Sequence, residues 1–482
     1  MVDILEKYTD IITETDPIKY VGRVTAVYDL TVECSGMLAV LGELCQIVVD
    51  DASDTKNILA EVVSLSDDTV RLMCYGQTEG IHIGAKVIAS GEVVSVPVTE
   101  KLLGRVVNAL GQAIDGKAEI YSKKRMPILN TAPDPMKRVP ITQRVVTGVR
   151  AIDGFLAVGR GQRLGIFSGS GVGKSTLMGM IARNTDADVN VIALIGERGR
   201  EVMDFIQNDL GPEGLSKSVI VSATSDTSPL SRLRGAYTAT TIAEYFRDSG
   251  KNVMLLFDSV TRFAKAQREI GLSANEPPAT RGYPPSVFEK IPKLLERAGT
   301  NEKGSITGLY TVLVDGDDLD EPISDTVRGT LDGHIILSRK LSESGHYPAI
   351  DVLKSISRLS RRVSGRKTNE AILKMRKHYA IYKENEDLIL VGAYQKGSSE
   401  ILDEAISYFP KIENFLLQDV AEEAPIEDTL SRISELSGVD IPETEYYGEG
   451  VGTRKKFVVQ KKQDEEFSQV NAVLKSKSGD LS

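Results

Sequence analysis

The stretch RLGIFSGSGVGKSTLMGMIAR, residues 163–183, decides the architecture of the chain. It begins with a short apolar run at 164–167, continues with a glycine-rich turn, and becomes helical in pattern from Lys174. A strand, a glycine-rich loop and a helix in this order are typical of a P-loop, whose backbone N–H groups converge on phosphate oxygens. The positive end of the helix attracts the same anion. The stretch therefore predicts a binding site for a nucleoside triphosphate.

The P-loop pattern assigns a task to individual residues. Lys174 is expected to reach the β- and γ-phosphates, and the Ser175 hydroxyl is expected to ligate magnesium. The strict pattern G-x-x-x-x-G-K-[ST] has glycine where this chain has Ser168, yet the required order of strand, loop and helix is intact. The other predicted nucleotide-binding residues of the loop are Gly169, Ser170, Gly171, Val172, Gly173 and Thr176.

Length and composition indicate a multidomain globular protein. The 482 residues are 41% hydrophobic and 26% charged, which allows about two to four domains. The net charge of −10 argues against a general binder of nucleic acid or anionic membranes. Cys34, Cys45 and Cys74 form no CxxC pair, so we expect buried free thiols in a reducing compartment. Neither a signal peptide nor a membrane span is expected from the sequence.

The first hundred residues predict a helix followed by a small barrel. Residues 1–19 include an amphipathic pattern at 2–12, whose apolar face packs on its own domain or docks a partner. Residues 20–98 alternate apolar and polar positions between turn residues, which predicts a small antiparallel β-barrel. Because this region is acidic and poor in aromatic residues, a structural or assembly role is favoured over nucleic-acid binding.

The rest of the chain divides into three further parts. Residues 99–350 are predicted to form a nucleotide-binding domain, because from about 144 to 339 runs of strand length alternate with helical stretches, which predicts a mostly parallel sheet covered on both faces. Residues 351–439 are dominated by helical patterns. Residues 440–482 are charged and irregular, and we expect most of them to be disordered. Ligands of such parallel sheets bind beyond the carboxyl ends of the strands.

Two predicted strands end in charged residues at the edge that should face the P-loop. Glu197 follows the apolar run VNVIALI, and it is a candidate to orient or deprotonate an attacking water. Its neighbour Arg198 is a candidate for contact with phosphate. The run NVMLLFD ends in Asp258, a Walker-B pattern whose carboxylate holds magnesium. Arg262 follows four residues later and could face the same site.

Further along, Arg358 could neutralise charge on a transferred phosphoryl group. The residues alone do not say whether Arg358 acts in its own subunit or in a neighbouring one. The following basic residues are interpreted as a solvated face: Arg361, Arg362, Arg366 and Lys367. No Asn-Lys-x-Asp motif for guanine occurs, so ATP is favoured over GTP. The histidines show no metal-binding spacing.

From about Tyr20 to Gly438 the chain resembles the hexameric rotary-ATPase superfamily, on the segments GERGREV (196–202) and PAIDVLKSIS (348–357). Within it, SGSGVGKS, PPATRGYPPSVFEKIPKLLERAG (277–299) and VDGDDLDEPISD (314–325) resemble the flagellar and injectisome type III export ATPases. The resemblance implies a RecA-like α/β P-loop core, preceded by a β-barrel and followed by a helical domain. It also implies Mg²⁺-dependent ATP hydrolysis that energises flagellar protein export.

The resemblance implies roles for the charged residues around the P-loop. Glu197 matches the catalytic carboxylate of the family. Glu201 and Asp258 match residues that support the water shell of the metal. Arg198 and Arg262 match residues that contact phosphate.

It also implies an assembly. Arg358 matches an arginine finger that acts across a subunit boundary, which implies a homohexamer with ATP sites between protomers. Tyr347 matches the adenine-stacking aromatic residue, and Tyr394 is a match for a second one. The implied partners are a stator-like regulatory protein on the N-terminal helix, a central stalk protein, a membrane export gate, and export substrates with their chaperones, with no nucleic acid. The implied location is cytoplasmic and peripheral, at the inner face of the cytoplasmic membrane.

Four alternatives compete with flagellar export. The sequence does not separate it from injectisome secretion. The catalytic subunit of a proton-translocating ATP synthase would carry an acidic DELSEED-type lever, which the stretch at 391–409 lacks. An RNA-translocating hexameric helicase would need a basic, aromatic first domain, whereas residues 1–95 are acidic. A scaffold that binds ATP without turnover would not need Glu197 and Arg358.

Overall fold

The computed structural model describes residues 20–51, 54–314, 318 and 320–447. A β-barrel, an α/β domain with a mostly parallel sheet and a helical region follow one another along these residues. The fold class predicted from the sequence is therefore confirmed. The predicted amphipathic helix at 2–12 lies outside the described residues, as do residues 448–482 of the predicted tail.

Six antiparallel strands close the barrel, in the order β1-β2-β5-β4-β3-β6. The strands are β1 (Val21–Val27), β2 (Thr31–Ser35), β3 (Glu43–Asp51), β4 (Asp54–Leu65), β5 (Val70–Cys74) and β6 (Lys86–Val93). Alternating side chains point into the barrel, where Cys34, Cys45 and Cys74 are buried and free. Burial raises the pKa of Cys34 and Cys74 to about 11 and that of Cys45 to about 12. The prediction of buried thiols is confirmed, and these thiols stay protonated and unreactive at neutral pH.

Most strands after the barrel join one large sheet, in the order β19-β18-β12-β17-β15-β13-β14-β8 with β16 beside β17. Two short pairs, β7 with β9 and β10 with β11, lie outside it. The strands are β7 (Ser95–Pro97), β8 (Arg105–Val107), β9 (Arg125–Pro127), β10 (Arg144–Val145), β11 (Val158–Gly159), β12 (Arg163–Ser168), β13 (Val189–Ile195), β14 (Ser218–Ala223), β15 (Asn252–Asp258), β16 (Gly299–Thr300), β17 (Ser305–Leu313), β18 (Gly333–Leu337) and β19 (Ile356–Ser357).

Helices cover both faces of this sheet. The helices of the described residues are α1 (Arg150–Phe155), α2 (Lys174–Asn184), α3 (Gly199–Asp204), α4 (Gly211–Ser216), α5 (Pro229–Asp248), α6 (Val260–Ser273), α7 (Pro285–Leu295), α8 (Pro322–Thr330), α9 (Arg339–Glu343), α10 (Ser360–Val363), α11 (Arg366–Leu390), α12 (Glu400–Leu416) and α13 (Ile426–Ser437). Single turns of 3₁₀ or π-helix complete the regular structure, at Glu100–Leu102, Pro135–Lys137, Phe205–Leu210, Thr280–Gly282 and Glu443–Glu445.

The central strands are buried on both faces, which explains their uninterrupted apolar sequences. In β13, Val191 and Ala193 pack into one core together with residues of α5, α6 and α7. Ile192 and Leu194 of the same strand point to the opposite face and pack into a second core with residues of α2, α11, α12 and α13. The helical C-terminal region is thus continuous with the core on the P-loop face of the sheet.

Two predicted boundaries of the helical region need correction. The sheet extends past residue 350, because β19 pairs with β18 at its edge. At the other end, the packed structure continues past residue 439, since Ile441 is only 5% exposed. The Glu445 carboxylate accepts hydrogen bonds from the backbone N–H groups of Lys367 and Thr368 at 3.0 and 2.8 Å. It therefore caps the start of α11, which a disordered tail would not do. Within the described ranges, each helix is too short or too polar to cross a bilayer.

Candidate functional site

The loop between β12 and α2 has the backbone geometry of a phosphate-binding loop. Gly171 and Gly173 adopt φ angles of +78° and +88°, which strain any residue that carries a Cβ. Gly173 is the N-cap of α2 and provides no side-chain cap for the helix. The first N–H groups of an eleven-residue helix are therefore left to bind an anion from outside the helix.

Lys174 lies between two carboxylates at the carboxyl edge of the sheet. Its Nζ is 2.6 Å from Asp258 Oδ1 and 3.6 Å from Glu197 Oε1. The three groups meet because β12, β15 and β13 belong to one parallel sheet and end at the same edge. The structure thus brings together the three residues that the sequence singled out as lysine, Walker-B aspartate and candidate base.

Thr311 joins this cluster, and sequence reasoning missed it. Strand β17 lies between β12 and β15, so Thr311 faces the site from the middle of the sheet. Its hydroxyl donates a hydrogen bond of 2.8 Å to Asp258 Oδ1. The available signal was a hydroxyl residue inside the otherwise apolar run GLYTVLV, but the sequence does not reveal which strand lies beside the P-loop strand.

Glu197 has the protonation behaviour of a general base. Its side chain is 14% exposed, and this burial, reinforced by the negative charge of Asp258, raises its pKa from 4.5 to about 7. Lys174 and Arg262 act in the opposite direction but do not outweigh the burial. Among the described residues, Oε1 of Glu197 is a buried oxygen without a hydrogen-bond donor. A carboxylate that accepts a proton near neutral pH is suited to deprotonating water.

The two candidate phosphate-binding arginines differ in position. Arg262 is half-buried beside Gly196, where a Cβ would come within 2.9 Å of the Arg262 Cβ. Its Nε is buried and has no acceptor among the described residues, so it is available to a ligand. The Arg198 side chain is 75% exposed and pairs with Glu201 at 3.5 Å. The structure therefore places Arg262 beside Gly196 and Glu197, whereas the Arg198 side chain points largely into solvent. Glu201 is close enough to Glu197 to contribute to the rise in its pKa.

A cavity of about 330 Å³ opens beside the P-loop. Its walls combine Gly173 and Thr176 with Tyr347, Gln418 and Val420. The Tyr347 ring is 43% exposed and lies near Gly173, where a Cβ would be 3.6 Å from the ring. An exposed aromatic face at the rim of a largely apolar cavity suits a planar heterocyclic base.

Tyr394 does not belong to this cavity. It lies between α11 and α12, and its hydroxyl donates hydrogen bonds of 3.0 Å to the Ser399 carbonyl and to Asp403 Oδ1. Tyr394 was matched to a second adenine-stacking residue, but the residues that line this cavity together with Tyr347 include Gln418 and Val420 instead. Their segment is fixed by Arg183 of α2, which donates a hydrogen bond of 2.6 Å to the Val420 carbonyl.

Arg358 is far from the P-loop of its own chain. Its backbone N–H donates to the Asp332 carbonyl at 3.0 Å, directly before the first residue of β18. The opposite end of that strand, Leu337, lines the cavity. Five residues of strand span roughly 16 Å, so the exposed Arg358 sits at the amino edge of the sheet while the P-loop sits at the carboxyl edge.

Three family descriptions match the chain. The nucleotide-binding domain of the ATP synthase alpha/beta family matches residues 148–357, and its beta-barrel domain matches residues 24–91. The T3SS EscN ATPase C-terminal domain matches residues 365–435. The Flagellum-specific ATP synthase of Treponema pallidum is 62% identical over 91% of this chain and 98% of the relative. This chain belongs to the flagellar and type III secretion ATPase family.

Other members of the family agree with this assignment. The Flagellum-specific ATP synthase of Bacillus subtilis is 52% identical over 89% of the chain and 98% of its own length. The Type 3 secretion system ATPase of Xanthomonas euvesicatoria is 48% identical over 86% of this chain and 94% of its own length. Among solved structures, the assembled ATPase EscN from enteropathogenic E. coli is 42% identical, with a TM-score of 0.81 over 86% of this chain and all of EscN. The resemblance predicted from the sequence is confirmed.

Proposed function

We propose that the chain hydrolyses ATP as a subunit of a homohexameric motor that energises flagellar type III protein export. The observation that carries the proposal is the meeting of Lys174, Asp258 and a Glu197 of raised pKa at the P-loop. The high identity to relatives named flagellum-specific ATP synthase supports the flagellar assignment.

The geometry supports a division of labour among the residues. Backbone N–H groups of the P-loop and the Lys174 ammonium neutralise the β- and γ-phosphates, while the adenine base enters the cavity against Tyr347. Glu197 Oε1 accepts a proton from the water that attacks the γ-phosphorus. The bond from that phosphorus to the β–γ bridging oxygen breaks, and ADP and phosphate leave. Arg262 contributes positive charge at the mouth of the site.

The residues present fit a magnesium ion that enters with the nucleotide. Ser175 presents an exposed hydroxyl at the start of α2, and Asp258 supplies a carboxylate within reach of Lys174. In the part of the chain that the structure describes, no group of three or more His, Cys, Asp or Glu forms a self-sufficient metal site. Mg²⁺ commonly takes one or two protein ligands and completes its shell with phosphate oxygens and water. Ser175 and Asp258, with Glu201 in the water shell, would hold it, and it would neutralise charge on the phosphates.

A homohexamer completes the site. Arg358 lies roughly 16 Å from the carboxyl end of its neighbouring strand, so it would serve the P-loop of another protomer. A ring of identical subunits with head-to-tail contacts provides such an arginine at every interface. The structure of the assembled EscN is similar to this chain over 86% of its length.

The partners and the location follow the family. EscN has been solved in complex with its central stalk EscO, and that structure matches this chain with a TM-score of 0.80. We propose a central stalk protein for this chain as well, together with a stator-like partner at the N-terminal segment, a membrane export gate, and substrates with chaperones. The protein would work in the cytoplasm at the inner face of the cytoplasmic membrane.

Injectisome secretion is the second candidate, because a Type 3 secretion system ATPase reaches 48% identity and EscN is similar in fold. Deletion of the gene followed by electron microscopy separates the two. Loss of filaments supports flagellar export, whereas loss of needles with filaments intact overturns it. Complementation with Lys174→Ala tests the enzymatic part: we expect stable protein without ATP turnover or export. Normal export by that variant would contradict the proposal.

A further inference from the structure

His346 links the nucleotide cavity to the C-terminal helices. It directly precedes Tyr347, it is 7% exposed, and its backbone N–H donates to the Leu341 carbonyl at 2.9 Å. Its Nε2 lies 3.2 Å from Glu413 Oε2 on α12. The nucleotide chemistry described above does not use this buried contact between two regions of the chain.

Glu413 contacts residues of α11 as well as His346. Its second oxygen accepts a hydrogen bond of 2.9 Å from the Tyr379 hydroxyl on α11, and Lys383 Nζ of the same helix is 3.8 Å away. Burial acts to raise the pKa of Glu413, but the neighbouring His346 ring and the hydrogen bond from Tyr379 outweigh it and hold the pKa below its ordinary value. Glu413 is therefore a carboxylate at neutral pH, and it ties the loop of His346 to both α11 and α12.

Tyr347 is held a second time, just beyond the end of α12. The backbone N–H of Gln418 donates to the Tyr347 carbonyl at 3.0 Å. The Gln418 side chain in turn donates to the Gly148 carbonyl at 2.9 Å and accepts from the Arg150 N–H at 2.8 Å. Tyr347 is thus fixed to α12 through its preceding residue and to the following segment through its own carbonyl.

The ring of Tyr347 has fewer restraints than its backbone. It is 43% exposed, and its hydroxyl has one hydrogen-bond partner among the described residues, Ser342 Oγ at 2.8 Å. The ring position beside Gly173 is consequently set by where the backbone is held. A shift of α12 would move Glu413 and Gln418 together, and both contacts would transmit it to the ring.

We propose that His346 and Glu413 are positioning residues that hold the Tyr347 ring at the mouth of the P-loop, so that the placement of α11 and α12 sets the affinity for the base of the nucleotide. This inference rests on the proposed function only in taking the cavity as the site of the adenine base. It adds a route by which a partner that moves the C-terminal helices would change ATP binding, and by linkage ATP binding would change the affinity for that partner.

The test compares Glu413→Gln with Glu404→Gln, an exposed carboxylate on the same helix. Dissociation constants of fluorescent N-methylanthraniloyl-ATP are measured on the full chain, and ATP and inorganic tripolyphosphate are used as competitors. Aromatic stacking contributes about 1–3 kcal/mol per base, so partial loss in Glu413→Gln should weaken ATP binding about 3- to 10-fold. Tripolyphosphate has no base, and its affinity should be unchanged. Saturated turnover should stay within about twofold of wild type, which gives a KM effect rather than a kcat effect.

A double-variant measurement separates positioning from general destabilisation. In a Tyr347→Ala background, Glu413→Gln should cause no additional loss of ATP affinity, because the ring on which it acts is gone. The proposal would be overturned if Glu413→Gln lowered ATP affinity further in the Tyr347→Ala background. It would also be overturned if Glu413→Gln alone weakened tripolyphosphate binding as much as ATP binding, or left ATP affinity unchanged. If Glu413→Gln does not fold, His346→Gln is put through the same measurements with the same expectations. The proposed function fails by a different result: if ATP binding by the variants changes as expected here but deletion of the gene leaves export intact, the proposed function is refuted and this inference stands.

Discussion

Replacement of Glu197 by glutamine tests the chemistry of the site and its electrostatics together. Glutamine keeps the shape of the side chain but can neither accept the proton of the attacking water nor carry charge. We expect kcat to fall by about 10²- to 10⁴-fold, the usual contribution of a general base. Affinity for ATP should remain within about threefold, since the base acts on water and not on the nucleotide.

The same variant should change how stability depends on pH. The pKa of Glu197 rises from 4.5 in the unfolded chain to about 7 in the folded one, so the folded chain binds this proton more tightly. The resulting stabilisation is fully present below pH 4.5 and is lost as pH rises to about 7. The pKa difference corresponds to at most about 3 kcal/mol, and solvent access reduces it to about 1–2 kcal/mol.

Thermal unfolding at pH 5 and pH 8 measures this effect. Because glutamine does not ionise, the unfolding midpoint of Glu197→Gln relative to wild type should rise by roughly 1–4 °C between pH 5 and pH 8. Glu404→Gln removes an exposed carboxylate and should show no such gain. Turnover of Glu197→Gln near the wild-type rate would refute the catalytic role. A midpoint difference that is the same at both pH values would refute the raised pKa.

Two further predictions follow from the same geometry. Lys174→Ala and Arg358→Ala should each be inactive alone, but an equal mixture should recover about a quarter of the wild-type ATPase activity. About a quarter of the interfaces in mixed rings pair an intact P-loop with an intact arginine. No recovery of activity in confirmed mixed rings would contradict an arginine acting between subunits. Arg297 is 2% exposed and lies 2.8 Å from Glu244. Glu244→Gln removes the counterion of this buried arginine and should lower the free energy of unfolding by about 3–5 kcal/mol. Denaturant titration checks this, and Glu289→Gln, which breaks the exposed pair with Lys293, should leave the midpoint unchanged.

Much of the site was readable from the sequence because each key residue adjoins a local pattern. Lys174 closes a glycine-rich turn, Glu197 lies two residues after a buried strand, and Asp258 is the last residue of another. In a parallel sheet the strand ends share one edge, so a residue after an apolar run is placed at the site without knowledge of the strand order. The barrel and its three buried cysteines were predicted on the same kind of local evidence.

Other parts of the site depended on contacts between distant segments. Thr311 faces Asp258 only because β17 is inserted between β12 and β15, an order that no local pattern encodes. The wall of the cavity is formed by Gln418 and Val420 and not by Tyr394, because the segment after α12 returns to the P-loop helix.

The sequence by itself determined the P-loop, its lysine, the two carboxylates and the order of the domains, since hydrophobic periodicity and glycine placement are local properties of the chain. The tertiary structure alone decided the pKa of Glu197, the distance of Arg358 from its own P-loop, and the contacts that connect Tyr347 to α12 and the segment after it. Burial, charge neighbours and spatial separation arise from packing among residues far apart in sequence, and only the folded chain defines them.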